Sequence, residues 1–418
     1  MEHWLEKLHV CKIGGLTFGS DESLDPDHAP GRDAIEPWFL ALLQAEHCAL
    51  LLGSGFTIGA CDLIKAQAPS MAAEIDPHDT KLKAAIDSEA KRTAALVGRS
   101  APNLEDRLRA AMAAEAGLRI VNDARASKLR ASITDALQEL ISGVLDAERA
   151  FAGESTEDLR TAQATLSSFL MSFVRRTPTR DRLHIFTTNY DRLIEHICDF
   201  LGIRMMDRFV GAMAPRFRSS RLDIDLHYNP PGIRGEPRVL GGVVKLSKLH
   251  GSVDWVRRSD WIERIPLAFG STAPPNADAV LVFPNSYKDY ETAFFPYAEL
   301  FRDFSASIVR PNSVVVTYGY GFGDDHVNRI LSDMLSLPST HLIIISYDAA
   351  DGRVAEFVRG QGIEDQISVL KGSYFGDLQN LSSRLLPQPS LAEIWARRAR
   401  VIRDRRDQSS NGRDDDVT

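Results

Sequence analysis

Six segments limit what this chain can fold into. "HCALLLGSGFT" (47–57), "LHIFTTNYD" (183–191), "VVKLSKLHGS" (243–252), "SVVVTYGYGFGDDH" (313–326) and "HLIIISYD" (341–348) each run apolar and end in glycine or small polar residues, and the shorter "ISVLKGSYFGD" follows at 367–377. Runs rich in Val, Ile and Leu with helical stretches between them predict strands buried on both faces of a parallel sheet. Ligands of such open sheets bind outside the carboxyl ends of the strands. The expected fold class is therefore α/β, a doubly wound parallel sheet whose polar strand ends converge on one crevice.

Between the first two runs lie more than a hundred residues rich in Ala, Leu, Glu and Arg. Apolar residues recur there at three-to-four spacing without internal proline, which predicts helices. The expected organisation is an N-terminal segment 1–36, a core from 37–66 and 179–385, a helical insertion 67–178, and a C-terminal piece 386–418. Such a block is more often structural or an oligomer contact than catalytic. A second polar stretch, 216–237, has the Pro and Arg content of loop material, with room for a short strand. "LAEIWARRARVIRDRR" has the pattern of a basic amphipathic helix, and "DQSSNGRDDDVT" that of a disordered tail.

The chain has 44% hydrophobic and 25% charged residues, the balance of a soluble globular protein, and a net charge of -8 argues against a generally basic nucleic-acid-binding surface. No sequence-specific nucleic-acid contact and no membrane span is expected. No N-terminal stretch has the order of a signal peptide. Cys11, Cys48, Cys61 and Cys198 form no C-x-x-C pair, which fits a reducing compartment and predicts no structural zinc or other metal. A cytoplasmic location is the expectation.

Gly53, Ser54 and Gly55 stand between a strand and a helix, where glycine admits a phosphate and a helix N-terminus supplies amide donors. The acidic residue that a hydride-transferring dehydrogenase places about 20 positions later is missing, because the helical stretch intervenes. Thr187, Thr188, Asn189 and Asp191 precede a helix. They read either as caps, with a loss of about 1 kcal/mol on removal, or as ligand-facing polar groups. His250, followed by Gly251, suits a general base at a strand end. Gly319, Gly321 and Gly323 leave room for a ligand, Asp324 and Asp325 read as helix caps, and Ser346 and Asp348 could touch a nucleoside.

Taken in order, Gly53-Ser54-Gly55, Thr187-Thr188-Asn189-Tyr190-Asp191, His250-Gly251 and Gly319 through His326 resemble the sirtuin-like superfamily. They look closest to its divergent bacterial branch of NAD-consuming antiphage effectors. The similarity covers about 45–60, 183–260 and 280–385. It implies a Rossmann-like NAD site: Gly53 and Gly55 at the diphosphate, Asn189 and Asp191 at the nicotinamide ribose, and His250 as base. Asn189 and His250 are then the catalytic pair, and Gly53, Ser54, Gly55, Thr57, Thr188, Asp191, Gly319, Gly321 and Asp348 the NAD-contacting set.

The departures bear on function. Protein-deacylating sirtuins carry two C-x-x-C pairs after the His-Gly strand, and residues 251–311 here contain no cysteine. Gly321 stands where those enzymes have Ser, and the Phe-Arg that follows their first glycine turn is missing. The resemblance therefore implies an NAD+ hydrolase that depletes NAD in antiphage defence. A module that binds NAD or ADP-ribose without turnover and an NAD-dependent deacylase are the alternatives. It also implies a HerA-like hexameric ATPase as partner. The apolar helices of 67–178 suggest a homo-oligomer.

Overall fold

A computed structural model describes residues 3–22, 24, 32–153, 156–174, 176, 180–220, 224–228, 238–277, 280–282, 295–363 and 365–387. The basic helix and tail expected beyond 387 lie outside the described residues, as do 221–223 and 229–237 of the polar stretch.

Among the described residues nine strands form the main sheet: β1 (His9–Ile13), β2 (Leu16–Ser20), β3 (His47–Leu52), β4 (His184–Thr187), β5 (Arg204–Met206), β6 (Val243–Lys248), β7 (Ser313–Tyr318), β8 (His341–Ser346) and β9 (Ile367–Lys371). Their order is β2-β1-β9-β8-β7-β3-β4-β6-β5. The seven strands from β9 to β5 run parallel, while β1 and β2 add an antiparallel ribbon beside β9. Chain order switches direction between β3 and β7. The register aligns Leu52 with both Thr187 and Tyr318, Thr187 with Lys248, and Tyr318 with Ile345. The polar strand ends therefore emerge at one level of one edge.

Alternate residues of the strands feed two cores, as a sheet covered on both faces requires. Leu50, Leu52, Ile185, Val316 and Ile345 belong to one core, shared with helices α1 (Arg32–Leu43), α2 (Ser54–Leu63), α6 (Glu157–Val174) and α7 (Leu193–Leu201). Leu51, Phe186, Val315 and Ile344 belong to the other, with α8 (Tyr297–Ile308), α9 (Asp325–Leu335) and α10 (Arg353–Gln361). The fold is a mixed α/β, Rossmann-like arrangement.

The helical stretch divides. Helix α6 packs Leu166, Phe169 and Phe173 into the sheet's first core. Helices α3 (Thr80–Leu96), α4 (Leu104–Ile120) and α5 (Arg125–Ala152) build a third core around Ile86, Leu108, Ile133 and Leu140, joined by Tyr190, Val253 and Val256 of the α/β core. Asn103 starts α4 with a capping box: its side chain accepts from the Asp106 amide, and the Asp106 carboxylate accepts from the Asn103 amide. No helix among the described residues is long and apolar enough to cross a membrane.

Candidate active site

The switch between β3 and β7 brings two glycine turns into backbone contact. A Cβ on Gly53 would lie 2.4 Å from the Gly319 carbonyl oxygen, and one on Gly319, whose φ is +61°, would lie 2.6 Å from Gly55. The Gly53 amide donates to Tyr318 O (3.1 Å) and the Gly55 amide to Gly319 O (2.9 Å). These glycines thus have a packing reason before any ligand arrives.

Above them opens a cleft of about 400 Å³. Of the sequence candidates, Gly53, Ser54, Thr57, Thr188, Asn189, Asp191, His250 and Gly321 line it. Gly55 and Gly319 are not in its wall. Nor is Asp348, whose Oδ1 accepts the Ala350 amide at 2.8 Å in its own exposed turn.

Asn189 does not cap the following helix. Arg192 holds the cap position without a side-chain cap bond, and Asp191 Oδ1, one residue earlier, accepts the Leu193 amide at 3.1 Å. The Asn189 Nδ2 instead donates to Gly53 O and to Thr57 Oγ1, both at 2.8 Å, and Thr57 Oγ1 donates to Asp191 Oδ2 at 2.6 Å. This relay fixes the amide orientation: Nδ2 meets two acceptors, and Oδ1 is left as an acceptor for the cleft. Behind the turn, the buried Lys248 ammonium donates to Asp191 O and pairs with Glu195 Oε1 at 3.1 Å.

His250 is 7% exposed, and its Nε2 lies 2.8 Å from Oδ2 of Asp324. A carboxylate accepts only, so Nε2 carries a proton, and in the neutral ring Nδ1 keeps the lone pair. The other Asp324 oxygen caps α9, accepting the amides of His326 (3.0 Å) and Val327 (3.4 Å). The capping expectation for Asp324 is met, and the same carboxylate also orients His250. The Tyr190 ring centroid stands 6.5 Å from that of His250. Its hydroxyl is buried without a partner among the described residues, and burial pushes its pKa well above the ordinary value.

The opposite wall comes from the helical stretch. Met71, Arg99, Asn103, Glu105 and Val144 face the cleft, and Arg353 closes one end. Glu105 makes no hydrogen bond or ion pair among the described residues. None of these was singled out in the sequence, where they read as helix-forming surface. The one local signal, the Asn103-x-x-Asp106 capping box, marks a helix start and says nothing of a ligand. No group of three or more His, Cys, Asp or Glu able to hold a metal occurs among the described residues.

Residues 183–365 match the family model of the SIR2-like domain. No curated protein matches the chain. The matched stretch holds Asn189, Asp191, His250, Asp324 and Arg353, while the Gly53 turn and Arg99 lie outside it. The match supports the sirtuin-like superfamily for this chain and suggests NAD-related activity.

Proposed function

We propose that the protein is an NAD+ hydrolase, a glycohydrolase that cleaves NAD+ to nicotinamide and ADP-ribose. The observation that carries the reading is the His250–Asp324 pair, with an open Nδ1, lining the same cleft as the open Oδ1 of Asn189. The pyridinium of NAD+ is already a cationic leaving group, so the site needs little acid catalysis. The C1′–N bond breaks with its electron pair going to nicotinamide, and a water oxygen bonds to C1′. The water proton passes to Nδ1 of His250. Asn189 Oδ1 accepts from a ribose hydroxyl or from that water, which holds the reacting atoms in line.

The resemblance alone supports the wider role: depletion of NAD in antiphage, abortive-infection defence by a homo-oligomer that works with a HerA-like hexameric ATPase. Four free, buried cysteines suit a reducing cytoplasm. Purified protein incubated with NAD+, alone and with such an ATPase, should release nicotinamide and ADP-ribose, resolved by chromatography. Bound but intact NAD+ would leave a binding module. Acetyl-ADP-ribose formed from an acetylated peptide would make it a deacylase.

A further inference from the structure

Two guanidinium groups converge on one end of the cleft from different parts of the chain. A Cβ placed on Gly323 would lie 3.3 Å from Nη1 of Arg99 and 3.9 Å from Nε of Arg353, and one on Gly321 would lie 3.4 Å from Nη2 of Arg353. Arg99 follows α3 of the helical stretch, and Arg353 opens α10 of the core. Their side chains are only 14% and 13% exposed. Like charges so placed repel each other, the more so away from bulk water.

Their neutralisation is incomplete. Asp106, fully buried, accepts Arg99 Nη2 at 2.6 Å, but it also faces Arg109 at 3.4 Å, so one carboxylate serves two guanidiniums. Nε of Arg99 is buried with no partner among the described residues. Arg353 donates to Gly321 O at 2.6 Å and pairs with Asp351, which is 47% exposed and correspondingly screened. Glu356, whose Oε2 would lie 3.3 Å from a Cβ on Gly98, forms no ion pair with either arginine. A pair of held forks whose charge is only partly balanced, by one shared carboxylate and one exposed one, is an arrangement suited to phosphate.

We infer that Arg99 and Arg353 form a phosphate clamp at the Gly321–Gly323 rim, so that the helical stretch supplies half of the binding site for the dinucleotide's phosphates. This rests on reading the cleft as an NAD site, and it places both guanidiniums against the Gly321–Gly323 backbone. Helices α3 and α4 are then part of the substrate site, since the corner between them carries Arg99.

Calorimetric titration of the full chain with ADP-ribose, and with adenosine as the phosphate-free control, tests the clamp. Arg99→Gln and Arg353→Gln should each weaken ADP-ribose binding by about tenfold or more, because each removes charge-assisted hydrogen bonds. Adenosine binding should stay as in the parent, and the loss of ADP-ribose affinity with added salt should be shallower in both variants. Arg99→Gln also takes a partner from Asp106, so melting temperatures are measured alongside. If Arg99→Gln does not fold, Arg353→Gln, whose acidic partner is exposed, decides alone. ADP-ribose binding within twofold of the parent in the folded variants, or no ADP-ribose binding by the parent, overturns the clamp. A parent that binds ADP-ribose yet releases no nicotinamide from NAD+ would refute the hydrolase reading and leave the clamp standing.

Discussion

A single carboxylate oxygen decides which nitrogen of His250 can act. With Nε2 donating to Asp324, the basic nitrogen is Nδ1, and Asp324→Asn attacks that assignment directly. Asparagine caps a helix as well as aspartate does, so α9 should keep its start. Its amide can donate to Nε2, however, which would move the proton to Nδ1 and block the base. We expect Asp324→Asn to keep its melting temperature and to lose turnover on the order of 10²–10⁴, as His250→Ala should. Normal hydrolysis by well-folded Asp324→Asn would remove the orienting role. Asn189→Ala is less clean than a cap loss. It strips two hydrogen bonds from Gly53 O and Thr57 Oγ1 inside the fold, a penalty of about 1–3 kcal/mol for buried groups left short. The residual activity of folded Asn189→Ala, compared with its stability loss, measures the part Oδ1 plays. In sequence Asn189 and Asp191 look like interchangeable caps, because local spacing cannot tell which polar group turns back to its own helix. Only the tertiary approach of the β3 and β4 ends separates them.

Elements built from apolar runs were legible for a physical reason: burial on both faces leaves no room for polar alternation, so β3, β4, β6, β7, β8 and β9 announce themselves. Their glycine ends were legible as turns but not as partners. Gly53 and Gly319 are more than two hundred residues apart in sequence, and their contact exists only in the sheet. Gly319→Ala would force a left-handed φ on alanine and drive its Cβ to 2.6 Å from Gly55. Backbone on both sides cannot yield as a side chain could. The expected result is a protein destabilised by several kcal/mol or insoluble, as overpacking and backbone strain together predict. A melting curve unchanged from the parent would show that the two turns do not touch. At the amino end of β8, burial pushes the His341 pKa down from 6.5 to about 4, with Lys12 adding to the effect. The folded protein therefore holds the neutral ring, while the unfolded chain binds a proton below 6.5. Stability from this group is complete above pH 6.5 and declines as pH falls toward 4. His341→Gln should flatten the dependence of melting temperature on pH across that window, and an unchanged slope would assign the acid sensitivity to other groups.

Across the whole molecule, the point hidden from sequence is that α3–α5 and the α/β core share one site. The helices were legible and their use was not, since Arg99 and Glu105 sit among many charged helix formers. What joins the two parts is buried. Glu148 of α5, with no exposure, accepts from the Arg192 backbone amide (2.9 Å), from its Nε (3.0 Å) and Nη2 (2.5 Å), and from the Gly270 amide (3.2 Å). Arg192 directly follows Asp191, so a carboxylate of the helical stretch holds the backbone of the Asn189–Asp191 turn. Glu148→Ala should cost about 3–5 kcal/mol, the usual effect of stranding one member of a buried pair. A paired change, Glu148→Leu with Arg192→Met, removes both charges and should recover much of that stability. It cannot replace the bond from the Arg192 amide to Glu148, so turnover of NAD+ should stay depressed while the melting temperature returns. A structural role alone predicts that both recover together. Measuring kcat and melting temperature on the parent, the single and the double variant separates the two outcomes. Full recovery of turnover in the double variant would reduce α3–α5 to a packed neighbour of the Asn189–Asp191 turn.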